Sequence, residues 1–254
     1  MTTPRATTPS AVLFDYGGVL AEVRSPADGP SRLAAHVVEL LARAGCPMEH
    51  VDVLADLEVG LRAFDGLKRG QSRLPDPRET RPRELWDLVA CDWEPAPRAA
   101  LLASATPLCR LLERTVIERP ARPDAATVLE LLRRSGVRTA LVCNCLSGDA
   151  ARDQLEDDGL TGLLDVELYS DEVGYRKPGP TLLRTALEAL GTEAADAWMV
   201  GDKIDRDVLA ARRAGIATAV LVRTASGPGT RLRGVEPDHE IDTLSELVPL
   251  LGLA

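Results

Sequence analysis

Histidine is scarce in this chain: His36, His50 and His239 each stand alone in a polar or helical setting, so histidine-based acid–base or metal chemistry has little material. The cysteines are no more promising. Cys46, Cys91, Cys109, Cys143 and Cys145 are five, an odd number, form no CxxC pair and lie mostly in apolar segments, which argues against a disulfide framework or a zinc site and fits a reducing cytoplasm. No apolar run approaches the ~18 residues a membrane span requires, and the polar start MTTPRATTPS leads straight into AVLF and Asp15. A soluble cytoplasmic protein with no signal peptide and no membrane partner is expected. Positive charge is also short. Lys+Arg 30 against Asp+Glu 39 leaves a net charge of −9, the wrong sign for neutralising a phosphate backbone, so no nucleic-acid partner is expected. Lysine is the rarest cation, present only as Lys68, Lys177 and Lys203, and each position is therefore informative.

What remains is ordinary globular material: 254 residues, 45% hydrophobic and 27% charged, enough for one large core or two modest ones. Ala11–Phe14, Thr139–Cys143, Val166–Tyr169, Ala197–Val200 and Ala217–Val222 are short, near-continuous apolar runs of the kind that form buried parallel strands. Helical patterns at Ala125–Arg134, Gly148–Asp157, Thr181–Leu190 and Val208–Ala214, each closed by a glycine, alternate with them. This alternation predicts an α/β fold built on a doubly wound parallel sheet. The stretch between reads differently, with amphipathic periodicity at Leu33–Ala44, Val51–Phe64, Leu85–Ala90 and Ala99–Leu112, and a proline-rich loop at Gly70–Pro82. The expected organisation is an α/β core over 9–22 and 120–254, interrupted by an inserted helical domain over 23–119.

Several chemically able residues fall at predicted strand ends, where open parallel sheets bind ligands. Asp15 is the first polar residue after VLF, and Gly17 and Gly18 behind it let the backbone turn sharply. In MVGDKIDRD another buried strand ends on Gly201 and Asp202, followed by Asp205 and Asp207. Carboxylates crowded in this way call for a cation, and hard oxygen ligands suit Mg²⁺. Cys143 and Asn144 offer backbone N–H groups and an amide at a third strand end; Lys177, between Arg176 and Pro178, supplies a cation at a fourth. Singly, each has a plainer explanation: Asp15 as a turn cap, the aspartates as a solvated helix start, Lys177 as a surface charge, Cys143 as a small buried hydrophobe. Four together at strand ends favour a site.

On these residues the chain resembles the haloacid dehalogenase-like (HAD) hydrolase superfamily, in the branch with a helical cap inserted after the first core strand. FDYGGVL is similar to the first motif, LVCN occupies the place of the second, GYRKPGPTLLRTALEALG matches the lysine motif and VGDKIDRDVLAARRAGI the acidic motif. The resemblance implies a Rossmann-like core and a Mg²⁺-dependent phosphatase that forms an aspartyl-phosphate. Asp15 would be the nucleophile, and Asp15, the Gly17 carbonyl, Asp202 and Asp207 the metal ligands or their orienters. Lys177 would pair with nucleophile and phosphoryl group, and Cys143 and Asn144 would bind a phosphoryl oxygen. A small phosphorylated metabolite and a monomer or homodimer are expected. Two departures matter: Gly17 stands where these phosphatases carry a second Asp as general acid, and Cys143 where Ser or Thr is usual. Glu22 and acidic cap residues are the candidate replacements for that acid. The alternatives are a phosphonate-cleaving enzyme using Lys68 for a Schiff base, a metal-free dehalogenase, and a non-catalytic binder of a phosphorylated ligand or protein. The dehalogenase would want an aromatic residue where Gly17 stands.

Overall fold

The computed structural model describes residues 8–253. Six strands, β1 (Ala11–Phe14), β2 (Arg138–Cys143), β3 (Val166–Tyr169), β4 (Ala197–Gly201), β5 (Thr218–Val222) and β6 (His239–Ile241), form one sheet in the order β3-β2-β1-β4-β5-β6. Every pairing is parallel. The helices are α1 (Gly29–Arg43), α2 (His50–Gln71), α3 (Pro82–Val89), α4 (Pro95–Ala103), α5 (Ala105–Thr115), α6 (Ala125–Arg134), α7 (Gly148–Asp157), α8 (Ser170–Val173), α9 (Thr181–Leu190), α10 (Leu209–Ala214) and α11 (Leu247–Leu250).

The apolar runs are continuous because both sheet faces are covered. Along β1, Val12 and Phe14 join Val128, Leu129 and Leu155 of α6 and α7, whereas Ala11 and Leu13 join Leu182 and Ala186 of α9 and Ala210 of α10. Full burial of each such Leu or Phe contributes about 1.5–3 kcal/mol, so strand and helix hold each other in place. The chain runs from β1 outward through β2 to β3, then crosses back to β4 on the other side of β1. Connections leave the β1 and β4 ends in opposite directions, and such a switch point opens a crevice at the carboxyl ends of the strands. Asp15 follows β1 directly and Asp202 follows β4.

Helices α1 to α5 bury a core of their own, including Leu33, Leu57, Leu85, Trp86 and Leu101, with Leu146 reaching into it from the loop after β2. Arg110 and Arg114 of α5 tie this layer to α7 through Asp153 and Asp157, at 2.7 Å each. One expected helix, Ala99–Leu112, is two. Pro107 lacks the N–H that would bond the Ala103 carbonyl, and its ring crowds that group, so the first helix stops there and the second restarts at Ala105. Strand β6 escapes detection in the sequence because His239 and Glu240 are exposed and only Ile241 is buried. Trp86 is wholly buried in the helical core, and the Trp93 indole donates to Asp56 Oδ2 at 2.7 Å. Among the described residues no helix is long and apolar enough to cross a membrane.

Candidate active site

Asp15 continues the β1 ladder by donating its N–H to the Val200 carbonyl at 2.9 Å, which fixes its backbone beside β4. Its side chain is 5% exposed. Lys177 Nζ donates to Asp15 Oδ1 at 2.8 Å and lies 2.8 Å from Asp207 Oδ1, and Lys177 is itself wholly buried. Asn144 holds that lysine in position. Its Oδ1 accepts from the Lys177 N–H at 2.9 Å and its Nδ2 donates to the Lys177 carbonyl at 2.8 Å. Both polar atoms of the amide are thereby engaged, so Asn144 positions the lysine.

The acidic segment forms the facing wall. Asp207 Oδ2 accepts from the backbone N–H groups of Lys203 at 3.0 Å and Asp202 at 3.2 Å. Ile204–Val208 is a π-helical turn, the wide i→i+5 form, and its extra residue brings Asp207 back beneath Asp202. The five-residue spacing between these two aspartates thus has a structural cause. Gly18 has φ 88° and a Cβ there would lie 2.5 Å from Asp202 Oδ2, so only glycine lets the turn approach that carboxylate. Asp15, Asp202 and Asp207 each offer an oxygen within 4.8 Å of the others.

Three like charges at this depth are unstable alone, and two residues that the sequence left without a role compensate them. Arg206 Nη2 donates to Asp15 Oδ2 at 2.9 Å and to Asp202 Oδ1 at 2.7 Å, while Lys203 Nζ donates to Asp202 Oδ2 at 2.6 Å. Burial alone would raise Asp207, but the ion pairs with Lys177 and Arg206 outweigh it and bring the carboxyl down to about 2. Asp202 goes the other way, to about 6, because burial there exceeds the lowering by Arg206. Burial opposes the charge of Lys177, yet Asp15 and Asp207 prevail and hold its ammonium above the usual lysine range.

Other candidates fall outside this centre. Glu22 is exposed and its carboxylate accepts from Arg24 at 2.6 Å. Asp205 is half-buried and turned toward the Gly229 loop. Lys68 lies 3.4 Å from Glu79 Oε1 and 5.2 Å above the Phe64 ring, in a separate buried cluster where Ser170 Oγ donates to Glu79 Oε2 at 2.6 Å. Gly17 has no positive φ, so its backbone does not require glycine; a Cβ there would meet Val23 Cγ2 at 2.9 Å, with Arg119 Nε next at 3.8 Å. Cys143 ends β2 in the core, and the neighbouring Cys145 thiol is pushed well up by its hydrogen bond with Cys143 and then by burial, which keeps it protonated.

The model for haloacid dehalogenase-like hydrolases matches residues 9–215. The chain belongs to this family. The ribulose-1,5-bisphosphate 5-phosphatase of Halopiger xanaduensis is 34% identical over 135 residues, 51% of this chain and 56% of that protein. The phosphoglycolate phosphatase of Aquifex aeolicus is 34% identical over 140 residues, 55% of this chain and 63% of that enzyme. The chain thus spans little more than half the length of these relatives. A HAD phosphatase from Thermococcus onnurineus superposes with a TM-score of 0.59 at 26% identity, over 96% of this chain and 98% of that one. The likeness to this HAD structure runs through the helical segment as well as the sheet.

Proposed function

We propose that this HAD hydrolase is a Mg²⁺-dependent phosphatase of a small phosphorylated metabolite, with Asp15 as nucleophile. The observation that carries the reading is the Asp15 carboxylate at a strand-end switch point, hydrogen-bonded to a wholly buried lysine and flanked by two further buried aspartates. In the first step an Asp15 oxygen attacks phosphorus and the ester P–O bond breaks, leaving an aspartyl-phosphate and an alkoxide or aryloxide that takes its proton from water. Water then attacks the phosphorus of the acyl phosphate, releasing inorganic phosphate and restoring the carboxylate. Lys177 orients Asp15 and places a fixed positive charge beside the transferring group, held there by Asn144. Cys143 and Asn144 contribute backbone N–H groups at the end of β2.

Three buried carboxylates with oxygens this close are a donor set suited to Mg²⁺, and Asp15, Asp202 and the Gly17 carbonyl would hold it, with Asp207 orienting the shell. When bound, the ion supplies charge neutralisation between an anionic nucleophile and an anionic substrate. The helical insert over 23–119 is assigned as the cap over the 9–22 and 120–254 core, and its side chains as the selector of substrate. Phosphate release from a panel of phosphorylated metabolites is expected in Mg²⁺ and is expected to stop in excess EDTA. Turnover that persists in EDTA would overturn the metal assignment, and a panel without any turnover would favour a non-catalytic binder.

A further inference from the structure

Arg206, like Lys203, is a residue of the centre that the proposed chemistry does not use. One guanidinium touches all three carboxylates: Nη2 stands 2.9 Å from Asp15 Oδ2 and 2.7 Å from Asp202 Oδ1, and Nε stands 3.5 Å from Asp207 Oδ1. The two oxygens bridged by Nη2 come from the two residues a metal ion would link. Mg²⁺ requires oxygens at about 2.0–2.1 Å, so an ion bound to that pair on the face Arg206 occupies would take the space the nitrogen now fills. The two cations are mutually exclusive there.

Charge bookkeeping points the same way. Asp15, Asp202 and Asp207 are balanced by Lys177, Lys203 and Arg206, three charges against three. Adding a divalent cation with Arg206 in place would leave two uncompensated positive charges in a buried site, which is costly. Exchange of one cation for the other leaves a net of one. The Arg206 side chain has an exit, being 31% exposed whereas Lys177 is sealed in.

We propose that Arg206 is a resident cation of the metal site, bridging Asp15 and Asp202 until Mg²⁺ displaces it. The inference rests on the phosphatase reading, in which those two aspartates hold Mg²⁺. It follows that Arg206 weakens apparent Mg²⁺ affinity, since binding must first undo its contacts, just as a closed state suppresses the affinity of a ligand for an open one. It also keeps the metal-free protein folded by screening three buried carboxylates.

Calorimetric titration of MgCl₂ into the unmodified chain and into Arg206→Met tests this without any substrate. The variant is expected to bind Mg²⁺ about 10- to 100-fold more tightly, the factor released when a competing state is removed. Because Arg206→Met leaves the carboxylates short of one cation and risks unfolding in EDTA, a second measurement uses the unmodified chain labelled with ¹⁵N-arginine. One Nε–Hε resonance, absent from spectra of Arg206→Lys, is expected to move in step with Mg²⁺ binding. Equal Mg²⁺ affinities in chain and variant, or a stationary resonance while Mg²⁺ binds, would overturn displacement and leave the phosphatase reading standing. Absence of Mg²⁺ binding to either protein would overturn both.

Discussion

Asp15→Asn is expected to reduce phosphate release by ~10⁴-fold or more, the scale on which loss of a covalent nucleophile acts. The amide nearly matches the carboxylate in shape but cannot form the phospho-enzyme. The fold is expected to survive, because Lys177 keeps its ion pair with Asp207 and Arg206 keeps its bond to Asp202. A modest loss of stability should accompany the change. Asp15 now accepts from Lys177 on one oxygen and from Arg206 on the other, whereas asparagine has a single acceptor oxygen and must turn its NH₂ toward one of those donors. An unsatisfied buried pair of this kind costs about 1–3 kcal/mol. Circular dichroism and a urea titration check the folded state, and a phosphate-release assay checks the loss. Unchanged turnover in a folded variant would remove Asp15 from the nucleophile's place.

Reaction rate is expected to depend steeply on the leaving group, with aryl and acyl phosphates outrunning simple alkyl esters by ~10²–10⁴, the usual worth of general acid–base help. Among the described residues no acid lies within 4 Å of a Cβ on Gly17. The atoms nearest to a Cβ on Gly17 are a methyl of Val23 and the Arg119 Nε, and neither donates a proton as an acid at neutral pH. Glu22, the next acid along the chain, is committed to Arg24 on the surface. A series of esters differing in leaving-group pKa, measured on the unmodified chain, provides the check, and a flat series would place a proton donor elsewhere in the site. Gly17→Asp is expected to narrow the gap. Position 17 needs no positive φ, and the clash falls on the exposed end of Val23, which is free to yield.

The parallel sheet was legible because burial on both faces writes itself as unbroken apolar runs: Ala11–Phe14, buried throughout, appears in the structure with the bounds the sequence suggests. The half-buried edge strand Val166–Tyr169 also keeps its expected bounds, although Glu167 interrupts its apolar run. Where most residues are exposed, as in β6, the signal is lost. Helix breaks were harder to see. Pro107 was available as a warning within Ala99–Leu112, but apolar periodicity on both sides masked it. Asp15 and Asp202 could be picked out because each directly follows a strand, and their proximity then follows from the pairing of β1 with β4. Lys177, expected at a strand end, lies instead past α8 in the loop before α9, and Asp207 lies in the turn after Asp202. Arg206 could not be picked out on the same ground. It reaches the carboxylates through the π-helical turn, whose geometry is a matter of hydrogen-bond register and leaves no mark in composition or hydrophobic spacing. The scarcity of lysine was the one available hint toward Lys203.

The central claim, a phosphoryl group carried on Asp15, is tested most directly by acid-quenching the enzyme during turnover of an aryl phosphate, reducing with borohydride and mapping peptides by mass spectrometry. The account predicts that position 15, and no other, is recovered as homoserine, the product of reducing an aspartyl-phosphate. Recovery of unmodified Asp15 while phosphate accumulates, or a phosphoryl adduct on Cys143, would contradict it.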